Sequence, residues 1–155
     1  MRVNQETFGI TQTGIKVDKF TLVNAANMQV ELINYGSRIT SIRVPDAEGC
    51  IENVVLGFDD LESYEADKAF IGALVGRYAN RISGARFELD GQEYLLNPNE
   101  GDNHLHGGVS GLHNRVWQAS PFHLVDSVGV ELFVQLEDGL EGYPGNLEVQ
   151  VRITL

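Results

Sequence analysis

The sequence contains one cysteine, Cys50, and only four prolines among 155 residues. A single thiol cannot form an internal disulfide, and it lacks the companion thiols that a thiolate metal site needs. The amino-terminal residues include no apolar signal segment. The longest apolar stretch, around residues 70–75, is far too short to cross a bilayer. These absences predict a soluble, cytoplasmic protein with no membrane partner.

Basic residues are also few. Lysine and arginine number 11 against 22 aspartates and glutamates, a formal net charge of −11, and the basic residues are scattered. Binding to phosphate backbones or anionic lipid headgroups depends on clustered cations. The charge balance therefore argues against nucleic acid as a partner.

Helical patterns are sparse, whereas glycine, at 17 residues, is abundant and indicates many turns. Only residues 59–68 favour one or two helical turns, with Asp59 or Asp60 as the N-cap. Residues 87–96 predict a hairpin around Asp90-Gly91.

Apolar and polar residues otherwise alternate with period two, which is typical of antiparallel strands with one buried face. Three such apolar rows stand out: Met28, Val30 and Leu32; Val128, Val130, Leu132, Val134 and Leu136; Leu147, Val149, Val151, Ile153 and Leu155. Together these patterns predict one all-β unit, an antiparallel β-sandwich.

The last apolar row runs to Leu155 without a turn or a polar tail. A strand that ends in this way leaves hydrogen-bonding groups at a sheet edge that can pair with another strand. We expect the natural protein to continue beyond Leu155; the alternative is a terminal strand tucked into the sheet. For the isolated chain we expect low stability, or association with a second copy or with a carboxy-terminal half.

Two glycine-rich polar segments, residues 72–82 and 97–108, flank the predicted hairpin. Because a hairpin returns its two ends to the same place, Asn80 and Arg81 can approach His106. Amide, guanidinium and imidazole groups together offer the donors and acceptors that a polyhydroxylated ligand requires. The residues thus indicate a site for a small polar ligand.

Four ordered motifs stand out along the chain: Gly-Arg-Tyr-Ala-Asn-Arg-Ile at 76–82, Phe-Glu-Leu-Asp-Gly-Gln-Glu-Tyr at 87–94, Asn-His-Leu-His-Gly-Gly at 103–108 and Asp-Gly-Leu-Glu-Gly-Tyr-Pro-Gly at 138–145. In this order and spacing they resemble the motifs of the aldose 1-epimerase (galactose mutarotase) family. The opening of the chain, through residues 34–36 and 54–58, is similar to the first strands of that family, so the resemblance covers essentially all 155 residues.

The resemblance implies the fold, the activity and the roles of several residues. The fold would be the amino-terminal portion, residues 1–155, of one large mutarotase-like β-sandwich (supersandwich) domain, incomplete in this chain. The activity would be interconversion of the α and β anomers of free hexoses such as galactose and glucose, without a cofactor. Asn80, Arg81 and His106 match sugar contacts of the family, and Arg77 matches a position to which we give a supporting role, paired with a carboxylate.

The sequence departs from the family in one respect that bears on mechanism. The family's general acid is a histidine in an Asn-His-x-Tyr-Phe-Asn-like motif after the Gly-Tyr-Pro-Gly loop, and its general base is a glutamate much further on. Neither motif occurs in these residues, so we assign no catalytic residue to the chain. This leaves open a non-catalytic carbohydrate-binding module of the same fold. A relative acting on hexose phosphates is disfavoured, since no cation cluster is present.

Several residues allow a simpler interpretation. His104, His106 and His113 could in principle bind zinc, since His104 and His106 would share a strand face, but no acidic ligand supports this and we predict no metal site. We expect His113 and His123 on the surface. Arg81 could simply pair with an acidic residue. For Trp117 and Tyr143, stacking on a sugar and packing in the core are both open.

Overall fold

The computed structural model describes residues 1–155 and consists mainly of β-strands. Its one α-helix has six residues, and no helix has the length and apolar character needed to cross a membrane. The elements are β1 (Arg2–Ile10), β2 (Lys16–Val23), β3 (Gln29–Ile33), β4 (Arg38–Pro45), β5 (Ile51–Asn53), α1 (Leu61–Ala66), β6 (Arg81–Ile82), β7 (Arg86–Leu89), β8 (Gln92–Leu95), β9 (His104–Leu105), β10 (Gln118–His123), β11 (Val128–Leu136) and β12 (Leu147–Thr154).

The strands form two main antiparallel sheets. The first contains β1 to β5 in sequence order, and the second contains β10, β11 and β12 in sequence order. Two further pairs, β6 with β9 and β7 with β8, come between the two sheets in the chain. Each strand of a main sheet neighbours the next one in the chain, so hairpin connections account for both sheets. The predicted all-β, antiparallel architecture is confirmed.

The principal core joins the two sheets. Phe20, Leu22 and Leu32 on the first sheet belong to one buried cluster with the apolar row of β11. Each fully buried side chain of this size contributes roughly 1.5–3 kcal/mol relative to exposure. The row in β11 is buried at every predicted position, and the row that contains Val30 and Leu32 is buried within β3. The two sheets are therefore held together by apolar residues of both in one buried cluster.

The predicted hairpin and helix are both present. Strands β7 and β8 are joined by Asp90 and Gly91, whose φ angles of 53° and 77° suit the two-residue turn that Asp-Gly favours. Helix α1 is capped by Asp60, whose side chain accepts a hydrogen bond of 2.8 Å from the N–H of Ser63. The helix packs through Leu61 and Tyr64 in a second buried cluster with residues of β2 and β3.

Strand β12 is an edge strand. It pairs with β11 and with no other strand, so one side of its backbone has no strand partner. Its apolar row packs against the core cluster but is only half-buried, unlike the row of β11. The prediction of one buried face therefore applies to β12 only in part, because a strand at the edge is covered from fewer sides.

Candidate functional site

Strands β6 and β9 bring the two polar segments together. Arg81 lies opposite Leu105, and Ile82 lies opposite His104. The β7–β8 hairpin fills the intervening sequence, which places Asn80 and His106 at adjacent ends of the short ladder. The juxtaposition of Asn80, Arg81 and His106 predicted from the sequence is present.

Asn80 and His106 are joined by two hydrogen bonds. The main-chain N–H of Asn80 donates to Nδ1 of His106 over 2.9 Å, and the N–H of His106 donates to the carbonyl oxygen of Asn80 over 3.0 Å. A ring nitrogen that accepts from a backbone N–H carries no proton, so the proton of the neutral imidazole lies on Nε2. His106 therefore presents Nε2–H as a donor to a ligand.

The backbone at this junction is unusually tight. Asn80 and His106 have positive φ angles of 66° and 53°, which non-glycine residues seldom adopt. Gly107 follows with a φ of 87°, and a Cβ there would lie 1.8 Å from the carbonyl oxygen of Gly76. Only glycine permits that approach, which explains physically why the histidine is followed by glycine.

Arg81 forms a bidentate ion pair with Glu100. Its Nε and Nη2 donate to the two carboxylate oxygens over 2.5 Å each, while Nη1 donates to Oδ1 of Asn80 over 3.1 Å. The pair raises the pKa of Arg81 and lowers the pKa of Glu100, chiefly through the hydrogen bonds between them. Both side chains remain accessible, at 54% and 39% of their surface. The acidic partner considered for Arg81 is thus present, and the guanidinium still faces solvent.

The loop that carries Glu100 is held by amide side chains. Asn99 accepts from the N–H of Leu105 over 2.6 Å and donates to the carbonyl oxygen of the same residue over 2.9 Å. Asn103 accepts from the N–H of Gly84 over 3.2 Å. These bonds tie the loop to β9 and to the turn after β6, so the carboxylate of Glu100 has a defined position beside Arg81.

Arg77 has a different set of partners from the one predicted. Instead of a carboxylate, its guanidinium donates to the carbonyl oxygens of four residues over 2.7–3.3 Å: Leu136, Glu137, Pro144 and Gly145. It also lies 5.7 Å from the ring centroid of Tyr143, and burial lowers its pKa. Arg77 therefore fastens the loop after β11 to the site. A sequence does not show which carbonyls a long side chain will reach.

The structure does not gather His104, His106 and His113 into one set of metal ligands. The backbone of His106 has a left-handed conformation, so strand β9 ends at Leu105. The ring of His106 therefore does not share a strand face with that of His104. His104 is fully buried, with Nδ1 2.6 Å from the carbonyl oxygen of Asn97 and its ring against Tyr143. No group of three or more potential ligand residues is positioned to hold a metal ion.

His113 corrects a prediction, because it is buried and not on the surface. Burial, with the nearby positive charge of Arg38, lowers its pKa to about 4, so the ring is neutral. His123 is exposed, as predicted, and Cys50 is an exposed free thiol.

Trp117 and Tyr143, for which both sugar stacking and core packing were considered, belong to the core. Trp117 is 1% exposed, and its Nε1–H donates to the carbonyl oxygen of Leu112 over 3.1 Å. Tyr143 is also buried, and burial raises its pKa to about 12. Neither ring face is available for stacking on a sugar.

Two residues that line the site escaped the sequence analysis. Glu141 is buried and accepts from the N–H of Ser110 over 2.6 Å, which fixes the glycine loop after His106. Phe70 contacts His106, with ring centroids 4.6 Å apart. Glu141 could have been noticed as an acid placed between the glycines of the motif at 138–145, whereas nothing in the local pattern marks Phe70.

The site therefore combines one imidazole donor, one guanidinium, one amide and one carboxylate on a rigid backbone junction. This set can bind adjacent hydroxyl groups by donating to some and accepting from others.

Comparisons with known proteins give a consistent result. Residues 18–155 match the family described as aldose 1-epimerase. The chain is 44% identical over 154 residues to galactose mutarotase of Bos taurus, covering 99% of this chain and 44% of that protein. It is 38% identical over 153 residues to aldose 1-epimerase of Escherichia coli (strain K12), covering 96% of this chain and 43% of that protein.

Among solved structures, galactose 1-epimerase from Lactobacillus acidophilus NCFM superposes with a TM-score of 0.87 at 30% identity. The superposition covers 99% of this chain and 44% of that structure. The chain thus spans less than half the length of the relatives it matches.

Proposed function

The chain belongs to the aldose 1-epimerase family, and on that basis we propose that it supplies the sugar-binding part of an enzyme that interconverts the α and β anomers of free hexoses such as galactose and glucose. We propose further that residues 1–155 form the amino-terminal portion of one mutarotase-like sandwich domain. The share of each relative that the chain covers supports this assignment.

The observation that carries the proposal is the reciprocal bonding of Asn80 and His106. It fixes the imidazole as a neutral donor through Nε2–H. A pyranose offers its ring oxygen and its hydroxyl oxygens as acceptors, so one oriented donor beside them can set the position of the sugar.

Arg81, Asn80 and Glu100 complete the recognition surface. The guanidinium donates, the carboxylate accepts, and the amide does both, which matches the mixed character of neighbouring sugar hydroxyls. Arg77 has a supporting role, because it holds the adjacent loop through backbone carbonyls and does not face the ligand. The ligand is a neutral aldose, and no cofactor or metal enters the proposal.

Anomer exchange requires two proton transfers. A base removes the proton of the anomeric hydroxyl while an acid protonates the ring oxygen; the ring opens, the C1–C2 bond rotates, and the ring closes on the other face. The base must be ionised and the acid protonated at the same pH, so the two need different environments. We assign neither role to residues 1–155. Their part is to hold the sugar where groups outside these residues act.

Polarimetry tests this division of roles. Freshly dissolved α-D-galactose should equilibrate at the buffer rate in the presence of residues 1–155 alone. A chimera that joins these residues to the remaining portion of the Bos taurus galactose mutarotase should accelerate equilibration, and His106→Ala in the chimera should reduce that acceleration. A folded chimera without activity would count against the proposed anomer-exchange activity. Acceleration by residues 1–155 alone would count against the proposal that the acid and base lie outside these residues.

A non-catalytic carbohydrate-binding module is the second candidate, because the acid and base motifs of the family do not occur in these residues. Calorimetric binding of galactose, combined with an inactive chimera, would favour the module. The absence of sugar binding at millimolar concentration would remove the module.

The free edge of β12 supports a proposal about partners. We propose that a further strand, from a carboxy-terminal half or from a second copy, pairs with this edge. A concentration-dependent rise in mass by sedimentation velocity would support pairing between copies, whereas a stable, cooperative monomer would contradict the expected low stability. The cytoplasmic location stays a prediction.

A further inference from the structure

Phe70 lies between two histidines. Its ring centroid is 4.6 Å from that of His106 and 4.8 Å from that of His113, with interplanar angles of 62° and 69°. Edge-to-face contacts at these distances are attractive and directional, so they favour one orientation of each imidazole. Phe70 is therefore the side chain against which the ring of His106 rests.

The backbone of Phe70 is fixed by its neighbours. Phe70 has a positive φ of 56°, and the surrounding loop is closed by Asp67, whose carboxylate accepts from the N–H groups of Ala69 and Ile71 over 2.8 Å each. The N–H of Ala73 donates to the carbonyl oxygen of Phe70 over 3.1 Å. A strained residue persists where its surroundings determine it in this way.

Asp67 is itself held by Arg38. Nη1 of Arg38 donates to Oδ2 of Asp67 over 2.7 Å and to the carbonyl oxygen of Ile71 over 2.9 Å. The two side chains are 0% and 2% exposed. Burial by itself would raise the pKa of Asp67, but the hydrogen bonds from Arg38 and from the loop N–H groups outweigh it and lower the pKa.

A buried ion pair of this kind adds little net stability compared with apolar residues of the same volume, because both charges lose their hydration. Its distinctive contribution is geometric, since it fixes the loop at both ends. Arg38 is also enclosed by aromatic rings, 5.3 Å from the centroid of Tyr64 and 5.8 Å from that of Tyr35. The pair cannot move without disturbing the second core cluster.

We propose that Phe70, fixed by the buried Arg38–Asp67 pair and backed by His113, is a positioning residue that orients the imidazole of His106 toward the sugar. The inference rests on the proposed function, because it assigns the purpose of the orientation to sugar binding. Phe70 acts through His106 and does not itself contact the ligand.

The test compares Phe70→Leu with Phe70→Tyr and with the control Phe122→Leu. Leucine keeps the non-glycine backbone constraint at position 70 and removes the aromatic edge. Tyrosine restores the ring, and Phe122 is a half-buried aromatic residue on β10 in the three-stranded sheet. Circular dichroism establishes that each variant is folded.

Two measurements are made on each protein. Amide hydrogen exchange at Asn80 reports its bond to Nδ1 of His106 independently of any sugar, and calorimetry reports galactose affinity. Phe70→Leu should accelerate exchange at Asn80 and weaken galactose binding, each roughly fivefold, the factor that one aromatic pair supports. Phe70→Tyr and Phe122→Leu should change neither quantity by that factor.

Unchanged exchange and affinity in Phe70→Leu would overturn the inference. Exchange at Asn80 could be faster in Phe70→Leu while the unmodified chain binds no galactose. Phe70 would then orient the ring of His106, but the proposed function would be wrong. That result also overturns the claim that Phe70 positions the ring for a sugar. In the unmodified chain, an absence of nuclear Overhauser contacts between the rings of Phe70 and His106 would also overturn it, even if Phe70→Leu failed to fold.

Discussion

The main-chain N–H of Asn80 donates to Nδ1 of His106 over 2.9 Å, and the N–H of His106 donates back to the carbonyl oxygen of Asn80 over 3.0 Å. The two residues are 26 positions apart, and the hairpin between them closes on this pair of bonds. The tautomer and the backbone position of His106 are thus set by the same neighbour, which leaves Nε2–H as its donor.

Replacing His106 with alanine removes this donor. We expect His106→Ala to weaken galactose binding about tenfold, since one hydrogen bond contributes about 1 kcal/mol and alanine also leaves the Asn80 N–H without its partner. Calorimetry measures the change. His123→Ala, at an exposed position, is the control and should leave affinity unaltered; equal affinities for all three proteins would exclude His106 from the site.

The hydrogen bonds that Arg81 makes to Glu100 and Asn80 depend on the planar shape of its guanidinium. Arg81→Lys keeps the charge, but an ammonium group cannot engage both oxygens of Glu100 in a fork while donating to Asn80. We expect roughly fivefold weaker galactose binding. Arg152 forms a comparably exposed pair with Glu131 on the three-stranded sheet, so Arg152→Lys serves as the matched control. Similar effects of the two substitutions would contradict a specific role for Arg81.

Arg77 is expected to act on stability. Arg77→Met removes the donor from four carbonyl oxygens at once and should lower the free energy of unfolding by about 2 kcal/mol, as for loss of charged hydrogen bonds. Urea denaturation measures this. Arg86→Met removes only a surface ion pair at 3.9 Å and should cost less than about 0.5 kcal/mol. A loss for Arg77→Met as small as this control would refute the structural role.

Stability should also depend on the protonation of His113. Burial, together with the charge of Arg38 and partly opposed by Asp67 and Glu141, lowers its pKa from 6.5 to about 4. The unfolded chain binds this proton as the pH falls through 6.5, whereas the folded chain does so only near pH 4. The free energy of unfolding therefore falls across this window, by up to about 3 kcal/mol.

The measurement is urea denaturation at several values between about pH 7 and pH 4.5, above the range in which most carboxylates titrate. His113→Gln should remove most of the slope in this window. His123→Gln should retain it, because that ring is exposed. An unchanged slope in His113→Gln would show that the ring is not buried in neutral form.

Much of the fold could be predicted because it depends on local patterns. The alternation in β11 specifies one buried face, the Asp90-Gly91 turn specifies the hairpin, and Asp60 specifies the start of α1. The approach of Asn80 to His106 followed from the hairpin alone. Each of these is decided by residues close together in the chain.

The contacts that could not be predicted are long-range. The burial of His113 depends on Phe70, which lies over 40 residues away in the chain. The carbonyl partners of Arg77 are the ends of a loop about 60 to 68 residues away, and no side-chain pattern reveals a carbonyl. The partial burial of the apolar row in β12 likewise depends on how many strands cover it. Such features require the packed structure.

A galactose titration followed by two-dimensional ¹H–¹⁵N NMR of residues 1–155 tests the sugar site most directly. We predict saturable shifts confined to the Asn80 amide, the Arg81 guanidinium and the His106 ring, and their loss in His106→Ala. No saturable shift at these groups, or shifts centred on another surface such as the cleft beside Tyr35 and Asn114, would contradict the proposed sugar site.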